Sequence, residues 1–392
     1  MISRPDSDAL RASWHQAKSR VDRALTSAGD WLDGLSRPQF LLAATGAALG
    51  LSLLFFAPRL CILVKPMAGT YEWDRATTFL SQCAHPFAAA GEPAMRWRLL
   101  PALVAGGLCL RGYWPLVIPW IGLIGLLAYV SRAAERLFED RLAATLLACL
   151  LATSGAVLTI TTWNGINDAW FILGLLMVAL SPRPWVAMAA CLWAPWVDER
   201  FVLGLPLALF CRIIIGPAAD SHRVRNTVAI AAAGCIYPLV RLVLSVLMSD
   251  RVSAGFVSSA VGATPVYLPF AHFGWWNGFR AGWLLILLFF WYVAMIHGRR
   301  MAVWGALALG FGWGSVTLLA ADLTRSTNLL MPLLFAGAWV AARAACTQAA
   351  SRLLLVLVAI NLAIPYEMAT YNKSLLMHSL PFELVRLVKD WR

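Results

Sequence analysis

Apolar runs approaching the roughly 20 residues that a helix needs to cross a hydrocarbon core follow one another from Phe40 to Ile364, with arginine gathered in the short connections between them. That succession leaves few folds open. The runs fall at 40–57, 99–110, 116–130, 142–162, 169–180, 185–196, 201–215, 228–248, 282–296, 302–321, 329–342 and 353–364. Because 60% of the chain is hydrophobic and only 13% charged, against roughly half and a quarter for a soluble domain, a soluble enzyme, a nucleic-acid binder and a secreted disulfide scaffold are all excluded. The net charge of +12 is therefore read as topology rather than as affinity for nucleic acid.

The expected fold is an all-α polytopic integral membrane protein of about ten to twelve transmembrane or broken helices, the breaks marked by Pro101, Pro115, Pro119, Pro195, Pro206, Pro238 and Pro332. Freed backbone groups at such breaks are tolerable only when neighbouring helices satisfy them. Residues 1–37 carry six basic groups and five aspartates with Leu10, Trp14, Val21, Leu25 and Leu32 at helical spacing, the pattern of an amphipathic interfacial helix rather than a cleaved signal. Residues 38–364 form the membrane domain, with a loop at 65–98, and residues 365–392 a short tail. Basic connections at Arg183, Arg223, Arg225, Arg299, Arg300, Arg343 and Arg352 place those turns and the N-terminus in the cytoplasm by the positive-inside rule. The stretch 99–130 must then make one net crossing, or Asp74 and Asp168 part company. The cysteines lie mostly in apolar runs without a C-x-x-C pair, and the histidines are scattered, so neither a disulfide framework nor a zinc site is expected.

What remains for the opposite side holds the chemistry. Glu72 and Asp74 flank Trp73 in the first loop, where a partly desolvated carboxylate suits a general base and an interfacial ion pair is the plainer reading. Asp168 follows the turn Trp163-Asn164-Gly165-Ile166-Asn167, as a helix cap or as a substrate contact. Asp198-Glu199-Arg200 is a charged triplet between two apolar runs, with Glu199 read as a substrate contact and Arg200 as a phosphate contact. Asp322 and Arg325 stand three residues apart, on one helical face. Trp275 and Trp276 are either an aromatic belt or a stacking platform for sugar.

In layout and short motifs, from Phe40 to Ala342, this order of features resembles the GT-C superfamily of integral membrane glycosyltransferases. The matching positions are Glu72 and Asp74 for the acidic motif of the first outer loop, Arg98-Leu99-Leu100-Pro101 for its arginine-proline boundary, Asp168 and Glu199 for later acids, and Arg325 for a phosphate contact. The acidic pair is usually adjacent, whereas Trp73 separates it here. The resemblance implies inverting transfer of a sugar from a polyprenyl-phosphate donor to a hydroxyl of a lipid, glycan or protein acceptor, at the outer face of a bacterial inner membrane. Some such enzymes use a divalent metal ion and others none, so the metal stays open. The competing reading is a transporter or flippase of lipid-linked sugars, which would place ionisable groups mid-span; here they gather at span ends, Arg241 excepted.

Overall fold

The computed structural model describes residues 7–64, 70–87, 96–216, 223–247, 268–319, 322–344, 347–370 and 373–391. It is an all-α polytopic membrane protein. Arg37–Phe55, Trp114–Phe138, Val224–Leu247 and the interrupted run Leu268–Leu318 are each long and apolar enough to cross a bilayer, and Arg141–Ala152, Asp168–Leu180 and Gln348–Ala363 are shorter apolar helices. In chain order the first twelve helices are α1 (Ser7–Asp33), α2 (Arg37–Phe55), α3 (Leu60–Val64), α4 (Tyr71–Ala84), α5 (Leu99–Gly107), α6 (Val117–Phe138), α7 (Arg141–Ala152), α8 (Gly155–Thr162), α9 (Asp168–Leu180), α10 (Pro184–Trp193), α11 (Arg200–Ile215) and α12 (Arg223–Leu247). Pro206 and Pro238, expected as breaks, sit inside α11 and α12, which continue through them as single helices, whereas Pro115 and Pro195 fall in short 3₁₀ turns beside longer helices.

Local chemistry starts these helices where the apolar runs begin. Ser36 and Gln39 form a capping box at the start of α2, followed by Pro38 in its first turn. Asp140 accepts a hydrogen bond from the Ala143 amide at 2.9 Å to cap α7. At this end of the bundle, arginines tie helix termini together. Arg141 donates to the Leu32 and Leu35 carbonyls, Arg136 to the Leu180 carbonyl, and Arg212 to the Val178 and Ser181 carbonyls. The amphipathic N-terminal helix docks at the same end: Leu25 and Leu32 are buried, Arg352 pairs with Asp22 at 2.8 Å, and Val21 and Trp31 stay exposed.

At the other end lie the starts of α6, α9 and α11 and everything between α2 and α6. Within 65–98, expected as a loop, the fourteen residues of α4 are helical, and Cys83, expected in a polar loop, is buried on it. Phe79, Cys83, Ala102, Ala105 and Ile118 form one apolar cluster that ties α4 and α5 to the start of α6. The nine residues of α5 extend only about 14 Å, so within the stretch 99–130 only the helix that includes α6 is long and apolar enough to cross a bilayer. The C-terminal segment is more than a tail. An antiparallel pair, Glu367–Thr370 with Lys373–Leu376, and the helix Leu380–Trp391 fold back on the end of α2, where Ala57 pairs with His378. Phe382, Leu384, Val385 and Val388 of that helix remain exposed, an apolar face suited to the membrane surface.

Candidate active site

The turn before α9 is where the site begins. Gly165 has φ +83°, and a Cβ there would meet the Arg75 carbonyl at 2.9 Å and Ala76 Cα at 3.0 Å, so only glycine lets α4 pack directly on this turn. Asp74 and Asp168 therefore belong to the same end of the molecule. Asn167, rather than Asp168, occupies the cap position, which leaves the Asp168 carboxylate to side-chain partners.

Those partners come from distant parts of the chain. Asp168 is 1% exposed and accepts from Arg325 Nε at 2.6 Å and Nη2 at 2.7 Å, from Arg200 Nη2 at 2.9 Å and from Asn328 Nδ2 at 3.3 Å. Asp198, also 1% exposed, accepts from the Arg200 backbone amide at 3.0 Å, Nε at 2.8 Å and Nη2 at 2.7 Å, and pairs with Arg98 Nη1 at 3.1 Å. Arg98 also grips Glu199 with two parallel bonds of 3.2 and 2.9 Å. Arg200 Nη1 donates to Ser326 Oγ at 3.3 Å. Aromatic rings floor the cluster: Arg325 and Arg75 lie 5.8 and 5.6 Å from the Trp163 ring centroid, and Arg200 lies 5.0 Å from that of Phe171. The buried charges of Asp168, Asp198, Arg200 and Arg325 are thus paired and hydrogen-bonded, the condition for tolerating them away from water.

Position in the cluster separates the acids. Burial opposes the charge on Asp198, but the Arg200 and Arg98 guanidiniums outweigh it and hold its carboxyl well below the ordinary range, while the same pairing pushes Arg98 up against the pull of its burial. Asp322 behaves oppositely. Burial pushes its carboxyl up, with Arg325 and Arg75 opposing only in part; Arg325 Nη1 is 3.8 Å from its Oδ2, and its Oδ1 has no hydrogen-bond partner. Glu199 is the outermost acid, with a side chain 41% exposed.

Of the residues singled out from sequence, the fold brings together Arg98, Asp168, Glu199, Arg200, Asp322 and Arg325. Asp74 is exposed on α4, its carbonyl accepting from the Thr77 and Thr78 hydroxyls; its neighbour Arg75 is the one that turns toward Trp163. Glu72 falls on the first turn of α4 with its side chain outside the described residues, as are residues 65–69, 88–95 and 248–267. Trp275 packs edge-on against Trp313 at 4.9 Å and its carbonyl accepts from Trp283, a core aromatic group rather than an open platform, while Trp276 is exposed. Arg241, the apparent mid-span exception, lies 4.0 Å from the Trp97 ring centroid beside Arg98, so it too belongs to this end.

Sequence reading gave Asp198 no role of its own and missed Asn328 and Ser326 altogether; the unbroken charged triplet was the one signal for the first. Arg280 was missed as well. It is fully buried with φ +53°, donates to the Thr153 and Ile364 carbonyls, and lies 5.2 Å from the Phe56 ring centroid. Only its position between two apolar helices hinted that it turns the chain.

The pocket against the cluster is lined by Phe79, Gln82, Arg98, Asp168, Asp198 and Arg325 among others and holds about 10 Å³, room for about one water. Among the described residues, no group of three or more His, Cys, Asp or Glu side chains is arranged to hold a metal ion. Comparison with known proteins finds no matching family model, no matching curated relative and no matching solved structure.

Proposed function

We propose that this chain is a membrane glycosyltransferase, moving a sugar from a polyprenyl-phosphate donor to a hydroxyl acceptor at the outer face of a bacterial inner membrane. The observation that carries the reading is a single one: Arg98, Arg200 and Arg325 converge with four acids at one end of an apolar bundle, and one acid, Asp322, keeps an oxygen without a hydrogen-bond partner. A lipid-phosphate donor keeps its prenyl chain in the bilayer, so its phosphate meets guanidiniums at helix ends, at headgroup depth.

The cluster has an inner and an outer layer. Arg200 and Arg325 are spent on Asp168 and Asp198, whereas the Arg98 pair with Glu199 sits at the rim. A donor phosphate is therefore received by Arg98, displacing the Glu199 carboxylate, and the inner pairs fix Arg98 in place through Asp198. In the transfer step a carboxylate takes the acceptor hydroxyl proton, the oxygen bonds to the anomeric carbon from the opposite face, and the bond to phosphate breaks with its electron pair leaving on polyprenyl phosphate. Asp322, whose proton affinity burial raises, is the carboxylate best suited to this; Asp74, facing water on α4, is its competitor for the acceptor.

Sugar transfer by purified protein in nanodiscs, offered a panel of polyprenyl-phosphate sugars and acceptors, tests this against Asp322→Asn, Asp74→Asn and Glu72→Gln. Loss of turnover by about 10²-fold or more in one variant with donor binding retained fits a catalytic base. Donor binding and lipid translocation without turnover in the wild type would replace the transferase with a transporter.

A further inference from the structure

A second cavity lies at the opposite end of the bundle, and it does not depend on the transferase reading. It holds about 300 Å³ between the C-terminal ends of α6, α9 and α11 and that of the helix Met331–Ala344. Helix C-termini present bare carbonyls and a partial negative charge, so such a junction should repel anions. Arginine reverses its sign. Arg136 covers the Leu180 carbonyl at 2.6 Å, and the buried Arg212 covers those of Val178 and Ser181 at 3.0 and 2.8 Å. Arg343 enters the lining from the last turn of its helix, lying 5.1 Å from the Trp339 ring centroid. Against three guanidiniums stands one lining acid, Glu139, exposed at the left-handed end of α6. The rest of the wall includes the apolar Leu137, Ile215 and Trp339.

From this geometry we infer that the cavity binds the phosphate headgroup of an anionic phospholipid, with the glycerol and first acyl carbons against the apolar wall. Capping carbonyls explains Arg136 and Arg212 but not Arg343, nor a cavity some thirtyfold larger than the one beside the ion cluster. Free inorganic phosphate shares the headgroup's charge but has nothing to place on Leu137 and Ile215. The site lies at the arginine-rich end, which the positive-inside rule turns toward the cytoplasm, where anionic lipid is drawn to basic pockets between helices.

The test is native mass spectrometry of the purified full chain titrated with phosphatidylglycerol, with phosphatidylcholine and inorganic phosphate as separate arms. Each arginine near an anionic headgroup contributes about 1 kcal/mol, or about fivefold in affinity. Arg343→Gln is expected to weaken phosphatidylglycerol binding about fivefold and Arg136→Gln with Arg343→Gln about 25-fold, with Arg183→Gln, exposed at the same end but outside the lining, unchanged. Three results overturn the inference: the double variant within twofold of wild type, an equal loss in Arg183→Gln, or inorganic phosphate displacing the lipid at matched concentration. If the double variant does not fold, Arg343→Gln alone decides, since that side chain lies against the Trp339 ring at the exposed end of its helix.

Discussion

Neutralising Asp168 is the sharpest way to test whether the ion cluster is the structural centre described above. Its two carboxylate oxygens take up four donor contacts between 2.6 and 3.3 Å from three residues on two distant segments, at 1% exposure. Asp168→Asn keeps the shape and removes the charge. Arg325 is then left with Asp198 and Asp322 at 3.7 and 3.8 Å as its nearest acids, and Arg200 with Asp198 alone. Removing one partner of a buried pair costs about 3–5 kcal/mol, because the other charge stays buried without compensation. Asp74→Asn, at an exposed position on α4, is expected to change stability by less than about 0.5 kcal/mol. Both are read from SDS titration in mixed micelles followed by circular dichroism, with thermal melts as a second probe. In a double-mutant cycle, Asp168→Asn with Arg325→Gln should be less destabilised than the sum of the single variants by about 1–3 kcal/mol, since neither charge is then left alone. If Asp168→Asn is no worse than Asp74→Asn, or if the cycle shows additivity, the cluster does not hold these segments together.

Four further outcomes follow from the same geometry. Asp322 is raised above its ordinary 3.8, so its contribution to stability is present below about pH 4 and lost as pH rises through its folded value; Asp322→Asn should be more stable than wild type at pH 7, with the gap closing in acid. Asp198 is held below 3.8, so its contribution is present above about pH 4 and lost as pH falls further; melts between pH 3 and 5 should show Asp198→Asn losing less stability in acid than wild type does. Gly165→Ala forces a side chain into a left-handed position 2.9 Å from the Arg75 carbonyl, and should cost about 1–3 kcal/mol and expose α4 to limited proteolysis. Cys109 is exposed beyond α5 at the site end; in intact cells a membrane-impermeant maleimide should label it but not a cysteine placed at Arg183, and the reverse pattern would invert the topology.

Charge and apolar length told most of the architecture in advance. The runs had to become helices, since a backbone in hydrocarbon has no other way to satisfy its polar groups, and the arginine-rich turns at Arg183, Arg300 and Arg343 separated one end from the other by sequence alone. Proline marked the 3₁₀ turns at Pro115 and Pro195, but α11 and α12 run through Pro206 and Pro238 without interruption. The acids at Asp168, Glu199 and Asp322 stood out because ionisable groups are costly beside apolar runs. What neither spacing nor composition contained was who pairs with whom. Asp168 and Arg325 are 157 residues apart, and Arg98 and Glu199 101. Their meeting depends on how α4, α5, α9, α11 and the Leu323–Ser326 turn stack at one end. The same packing turned Asp74 outward and Arg75 inward, folded residues 71–84 into a helix, and packed a partly buried Trp275 against other rings. Length and periodicity are local quantities that each run carries by itself, whereas the charge on Asp198 or the open oxygen of Asp322 is set by neighbours that only the assembled bundle supplies.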